Sequence, residues 1–293
     1  MNFVSKVCIG SAQFGLNYGI NNREGQMHDI EVYEILNTLR RNGIALIDTA
    51  PAYGQAESVI GKSQSRKYFN VITKIDPSAA EPSAVSTSFE KSLVNLDTTK
   101  AYGVMVHRPD VFFKNKANWY CLEQLKNNRK VEKIGVSIYD VQELYTILEN
   151  GYVLDIVQLP FSVLDRRFLK ILPEIKKMKI QVFSRSTFLQ GLYFMDDKLL
   201  FKHFNSMFYP IKKLKNLAKK LEVSLNEYLL SFCLLQPDID YVILGVDGHL
   251  HLNSNIQIAK NIKLEISDFA PLNQIHVTDN ELLNPNNWVR GIR

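Results

Sequence analysis

VITKIDPSAAEPSAVSTSFEKSLVNLDTTKAYGVMVH, residues 71–107, holds one unit of an alternation that runs through the whole chain. It opens on a short apolar run, VITKI (71–75), and closes on another, YGVMVH (102–107). Between them, residues 84–96 place Val85, Phe89, Leu93 and Leu96 on one helical face. Both runs are rich in Val and Ile and apolar on both faces, as parallel strands covered on both sides should be.

The same reading extends in both directions. Further strands are expected at 6–10, 44–48, 133–137, 155–159, 180–184 and 241–245. Helical patterns fall at 29–42, 118–127, 141–150, 167–178, 211–221, 224–236 and 250–261. Asp29, Asp140 and Ser224 stand where helix N-caps belong. Eight strands, each followed by a helix, predict an α/β fold, the closed (β/α)8 TIM barrel; an open doubly wound sheet fits less well. No Pro/Gly/Ser-rich linker divides the 293 residues, so residues 1–293 are expected to form one barrel domain. The tail NPNNWVRGIR (284–293) reads as a packed loop.

Composition excludes several classes. The 35 basic and 30 acidic residues leave a net charge of +5, and the basic residues are dispersed. Clusters at 212–215 and 219–220 lie in a helical pattern and read as a solvated face, so no nucleic-acid partner is expected. Cys8, Cys121 and Cys233 are far apart and follow no metal spacing; they read as buried thiols in a reducing compartment. There is no apolar leader and no 18-residue apolar run, so a cytoplasmic protein without membrane partner is expected.

Barrels of this kind carry their active sites at the C-terminal strand ends. The polar residues there are Gln13 after the first strand, Asp48 ending the second and Lys74 in the third. His107, Ser137, Gln158, Ser184 and Gly245 serve strands four to eight. Read alone, Asp48 also fits a loop cap, Tyr53 a surface aromatic and His107 a core histidine. Lys74, inside VITKI, must end in a barrel interior or a cleft, and a buried lysine needs a carboxylate. Asp48 is on the neighbouring strand. Together the four residues describe a site that protonates an oxygen. A nearby ammonium lowers the pKa of a phenol, ordinarily near 10. Asp48 would hold Lys74 charged, Tyr53 would give its proton to a developing alkoxide, and His107 would orient the carbonyl. No nucleophile elbow and no metal-ligand cluster is present, so no metal is expected. The missing partner is a hydride donor, a cofactor's role.

In order and context, Asp48, Tyr53, Lys74 and His107 resemble the catalytic tetrad of the aldo-keto reductase family. The motifs are IDTAPAYGQAESVIGKS (47–63), VITKI and VMVHRPD (104–110). KIGVSIYD (133–140), DIVQLPFSVLDRR (155–167) and VILGVDGHLHLNSN (242–255) extend the resemblance over residues 6 to about 261. It implies an NADPH- or NADH-dependent reductase of a small carbonyl substrate on a barrel; the alternative is a cofactor-binding regulatory barrel with little turnover. It implies that Ser137 and Gln158 hold the nicotinamide carboxamide and that Phe183 stacks on the ring. Segment 184–192, with Ser184, Arg185, Gln190 and Gly191, would wrap the pyrophosphate, and Asn255 would contact adenine. GSAQFGLNYGI (10–20) and RSTFLQGL (185–192) look like a bacterial subgroup that often serves sugar or surface-polysaccharide pathways.

Some positions depart from the family pattern. Ile138 replaces an asparagine that usually follows the serine. Gly245, Val246 and Asp247 supply no cation for the 2′-phosphate of NADPH, and His251 stands where an arginine often does. Arg185 sits in a Ser-Arg-Ser turn where Ser-Pro-Leu is common, and could meet the pyrophosphate, an anionic substrate or a loop carboxylate. The usual N-terminal hairpin under the barrel is expected to be absent. Phe14, Tyr18, Trp119, Phe161 and Trp288 are candidates either for lining a pocket or for packing.

Overall fold

Eight parallel strands pair in sequence order and the last returns to the first, closing a barrel. They are β1 (Val7–Gly10), β2 (Leu46–Asp48), β3 (Asn70–Ile75), β4 (Ala101–Val106), β5 (Val131–Ser137), β6 (Ile156–Pro160), β7 (Gln181–Arg185) and β8 (Tyr241–Leu244). The computed structural model describes residues 1–22 and 24–288. Among these, no strand precedes β1; a 3-10 turn, Val4–Lys6, stands there instead of a hairpin.

The helices in chain order are α1 (Ala12–Gly15), α2 (Asp29–Arg41), α3 (Ala56–Lys62), α4 (Pro82–Asn95), α5 (Pro109–Phe112) and α6 (Ala117–Asn127). Then follow α7 (Val141–Glu149), α8 (Leu172–Lys177), α9 (Asp197–His203), α10 (Asn205–Lys220), α11 (Leu225–Leu234) and α12 (His249–Lys260). None is long and apolar enough to cross a membrane.

Strand periodicity places the site. Ile9, Ile47, Val71, Val104, Val136, Val157, Val182 and Leu244 point outward and pack in the main core with the helices. Their alternates, among them Cys8, Leu46, Ile72, Met105, Ile156, Phe183 and Ile243, form a second apolar cluster inside the barrel. One inward step further along each strand lie Gly10, Asp48, Lys74, His107, Ser137, Gln158, Arg185 and Gly245. This upper ring is polar or bare, and all but Lys74 border one cavity. Gly135 completes the lower ring because a Cβ there would lie 1.9 Å from the Ile156 carbonyl oxygen.

Several boundaries differ from the expectation. The segment 167–178 is helical only from Leu172, because Pro173 lacks the N–H of a helix interior and opens a helix at its first turn. Helix α10 runs back through Pro210 to Asn205, six residues beyond the expected start. Asp29 is not a cap: extended His28 precedes the helix, and Asp29 and Glu31 lie in its first turn, where carboxylates favour the dipole. Asp140 and Ser224 do cap, accepting from the Glu143 and Glu227 amides. Cys8 and Cys233 are buried, and burial pushes both thiols up, but Cys121 on the outer helix α6 is only half-buried. In the tail, Trp288 donates from Nε1 to the Leu282 carbonyl at 2.8 Å; residues 289–293 lie outside the described residues.

Candidate active site

The centre of the upper ring is an ion pair. Lys74 Nζ donates to both oxygens of Asp48, at 2.7 and 2.8 Å, and to the Thr49 carbonyl at 3.0 Å. Gln158 Nε2 gives Asp48 a third hydrogen bond at 2.8 Å, and Ser137 Oγ donates to Gln158 Oε1 at 3.1 Å. One chain of polar contacts therefore crosses the barrel from β3 to β5. Burial alone would pull the Lys74 ammonium down; Asp48 first, then Tyr53, outweigh it, and the net direction is up.

Tyr53 reaches this centre from the loop after β2. Its ring centroid lies 5.0 Å from Lys74 Nζ and 5.9 Å from the His107 ring, edge to face. Glycines make that loop geometry: a Cβ on Gly15 would fall 1.9 Å from the Tyr53 carbonyl oxygen. Gly54 (φ +60°) is left-handed and would put a Cβ 2.3 Å from the Gly15 oxygen. Lys74 does pull the Tyr53 pKa down, but the net direction is up. Burial is the largest influence and raises it; Lys74 offsets only part, so the phenol keeps its proton at neutral pH. His107 is held neutral. Burial first, then the charges of Lys74 and Arg185, lower its pKa to about 3.

These groups sit at one end of a cavity of about 590 Å³, within the roughly 300–1,000 Å³ span of ligand sites. Gln190, Gly191, Gly245, His251 and Asn255 border it. Gln190 and Gly191 turn with φ of 53° and 87°, and the loop after β1 clasps them: Ile20 donates to the Gln190 carbonyl at 3.1 Å. Asn255 Oδ1 accepts from Asn226 at 3.1 Å. The exposed His251 stands 3.7 Å from Asp247, which also accepts from Gln13 Nε2 at 3.2 Å.

Two expected cofactor contacts fall elsewhere. Phe183 is fully buried in the lower ring, stacked on Tyr241 at 4.7 Å, and does not border the cavity. Ser184 points to the outer face, with its hydroxyl 3.4 Å from the Tyr241 carbonyl. Inward positions on β7 are 183 and 185, so Arg185 is the residue that reaches the mouth. Of the five pocket candidates only Tyr18 lines the cavity. Phe14 is core, Trp119 packs on Phe113 and Tyr152, Phe161 stacks on Phe232, and Trp288 abuts Phe204.

Sequence reasoning missed Tyr139, Asn226 and Ser254. Tyr139 shares the parity of Ser137, two residues past the strand end. Asn226 lies in the first turn of α11 and Ser254 in the second turn of α12, helices that open at the strand C-terminal face. Polar residues in those turns were the available signal.

The donor set fits a nicotinamide dinucleotide. A serine hydroxyl and two amides suit a carboxamide and sugar hydroxyls, and Gln13 Oε1 is buried beside the cavity without a partner among the described residues.

A model of the Aldo/keto reductase family matches residues 6–277. The uncharacterized oxidoreductase YqkF of Bacillus subtilis is 26% identical over 266 residues, 81% of this chain and 85% of that protein. Glyoxal reductase of the same organism is 30% identical over 127 residues, 42% of this chain and 46% of that protein. Among solved structures, an aldo-keto reductase of Bacillus halodurans in holo form overlays with TM-score 0.74 at 17% identity, covering 92% of each chain. One from Klebsiella pneumoniae in complex with NADP and acetate overlays with TM-score 0.71 at 20% identity, covering 92% of this chain and 91% of its own. At these identities the overlays bear on the fold.

Proposed function

Because the chain belongs to the aldo/keto reductase family and is an NAD(P)H-dependent oxidoreductase, we propose that it reduces an aldehyde or ketone to an alcohol with Tyr53 as general acid. The observation that carries this reading is the cluster of Tyr53, Lys74, Asp48 and His107 at one end of the cavity. When bound, the cofactor supplies hydride to the carbonyl carbon.

The residues of the chain manage the oxygen. Tyr53 gives its phenolic proton to the oxygen as negative charge builds there, and Lys74 stabilises the phenolate left behind. Asp48 keeps Lys74 charged and aimed. His107, neutral, donates its ring N–H to the same oxygen and fixes the direction of the carbonyl. Ser137 and Gln158 hold the carboxamide. Gln190 and Gly191 take the pyrophosphate, and Asn255 with Asn226 the adenine. NADPH is the proposed cofactor and NADH is accepted, because His251 rather than a lysine or arginine faces the 2′-phosphate end. A sugar derivative is the carbonyl class that the (10–20) and (185–192) segments support.

Single-turnover oxidation of enzyme-bound NADPH, mixed with a panel of aldehydes, ketones and aldoses, tests the proposal. At least one carbonyl should oxidise the cofactor in the native protein and far more slowly in Tyr53→Phe. Cofactor binding with no oxidation by any carbonyl would favour the regulatory barrel.

A further inference from the structure

Arg185 is the cation that the proposed chemistry leaves unused. Its guanidinium lies over the Tyr139 ring at 4.1 Å, donates to the Ile138 carbonyl at 3.0 Å and to Ser186 Oγ at 3.2 Å. Tyr139 is itself held by the α7 capping box, through a 2.6 Å bond from its amide to Glu143. The group is therefore fixed in direction. Of its five N–H donors, two are used by these contacts, leaving three (5 − 2) for a ligand.

The charges around it are otherwise spent. Asp48 is committed to Lys74. Asp247 is tied to Gln13 on the β8 side. Arg108 pairs with Asp110 on the exposed loop. Among the described residues no carboxylate forms an ion pair with Arg185, so the salt bridge to a loop carboxylate is not formed there. The guanidinium sits at the end of the cavity occupied by Tyr53 and His107, and its charge is felt at both.

We propose that Arg185 anchors a carboxylate carried by the substrate, so that the physiological substrate is a small carbonyl acid rather than a neutral carbonyl. The inference deepens the reductase reading and rests on it. The nicotinamide end of the cofactor carries no negative charge, while a carboxylate a few bonds from the reacting carbonyl can meet the guanidinium edge with two parallel bonds. Such a contact would select acids over uncharged carbonyls and set which face of the carbonyl is presented.

Succinic semialdehyde and butanal, aldehydes of equal chain length differing in one carboxylate, are the test pair. The ratio of their kcat/KM values cancels any general damage from a variant. The native enzyme should favour the acid by roughly 10- to 100-fold. Arg185→Met should bring the ratio close to one through KM for the acid, and Arg185→Lys should restore part of it. A native ratio near one, or a ratio unchanged in Arg185→Met, overturns the proposal. So does an intact ratio accompanied by weakened NADPH binding, which would assign the arginine to the cofactor. If neither aldehyde is reduced, calorimetric binding of succinic semialdehyde decides the anion site, while the reductase reading stands or falls on the wider carbonyl panel. Binding lost in Arg185→Met upholds the site; equal or absent binding overturns it.

Discussion

Lys74 Nζ is bracketed by the two carboxylate oxygens of Asp48 at 2.7 and 2.8 Å, in a place where the lysine side chain is 0% and the aspartate side chain 4% exposed. A pair this buried repays its desolvation only while both partners are present. Lys74→Met or Asp48→Asn should each destabilise the fold by about 3–5 kcal/mol, measured by urea unfolding. The double variant should cost less than the sum of the two. Single variants as stable as the parent would show that the charges are not held as a pair.

Tyr53 is the only proton donor proposed for the reacting oxygen. Tyr53→Phe should therefore lower kcat by about 10²- to 10⁴-fold. The phenol hydroxyl has no place among the proposed cofactor contacts, so the Kd for NADPH, read by quenching of protein fluorescence, should stay nearly constant. A parallel loss of affinity would move Tyr53 from proton donor to cofactor support.

His107 should not titrate in the physiological range. Its pKa is about 3 in the folded protein, against an ordinary value of about 6.5 in the unfolded chain. Between those values the unfolded chain binds the extra proton, so stability rises with pH there and is lost as pH falls from about 6.5 towards 3. NMR of the ring should show a neutral imidazole down to about pH 4, and His107→Gln should lose part of the acid sensitivity. A ring titrating near pH 6.5 would contradict this.

Gly15 acts on Tyr53 without approaching substrate. Its missing Cβ leaves room for the Tyr53 carbonyl, 1.9 Å from where that carbon would be, and for the Ala56 amide at 2.5 Å. Neither backbone group can step aside cheaply. Gly15→Ala should cost about 1–3 kcal/mol of stability. It should also lower kcat by up to about 100-fold, as a displacement near 1 Å of a catalytic group does. Steady-state kinetics on the folded fraction separate the two effects; an unchanged kcat would show that the loop carries Tyr53 independently of α1.

The barrel could be read from sequence because its strands are short Val/Ile runs of one period, and because each is separated by an apolar helical stripe. Lys74 was informative for the same reason: a charge inside such a run has to meet another charge. The errors share a physical origin too. Motif position points to Phe183 and Ser184 as cofactor contacts, whereas the pleat assigns 183 to the lower ring, 184 to the outer face and 185 to the mouth. Desolvation decides the Tyr53 pKa, and burial of a loop residue is not written in its neighbours. The far end of the cavity is built by Asn226 and Ser254, from helices distant in sequence from the tetrad.

Asp247 bears on the choice between NADPH and NADH. It borders the cavity beside His251, 3.7 Å away, and is tethered by Gln13 Nε2 at 3.2 Å, so its charge stays at the proposed 2′-phosphate end. The distances imply that the carboxylate offsets the attraction of the imidazole for a phosphate. Asp247→Asn keeps an acceptor for Gln13 and removes the charge. It should tighten NADPH by about two- to fivefold, the scale of an exposed charge interaction, and leave NADH unchanged. The gain should shrink as salt is raised, because exposed charges are screened over about 10 Å at 0.1 M. Fluorescence titrations of both cofactors at two ionic strengths read the difference. Equal changes for NADPH and NADH would place the phosphate away from Asp247 and leave cofactor preference to other residues of the cavity.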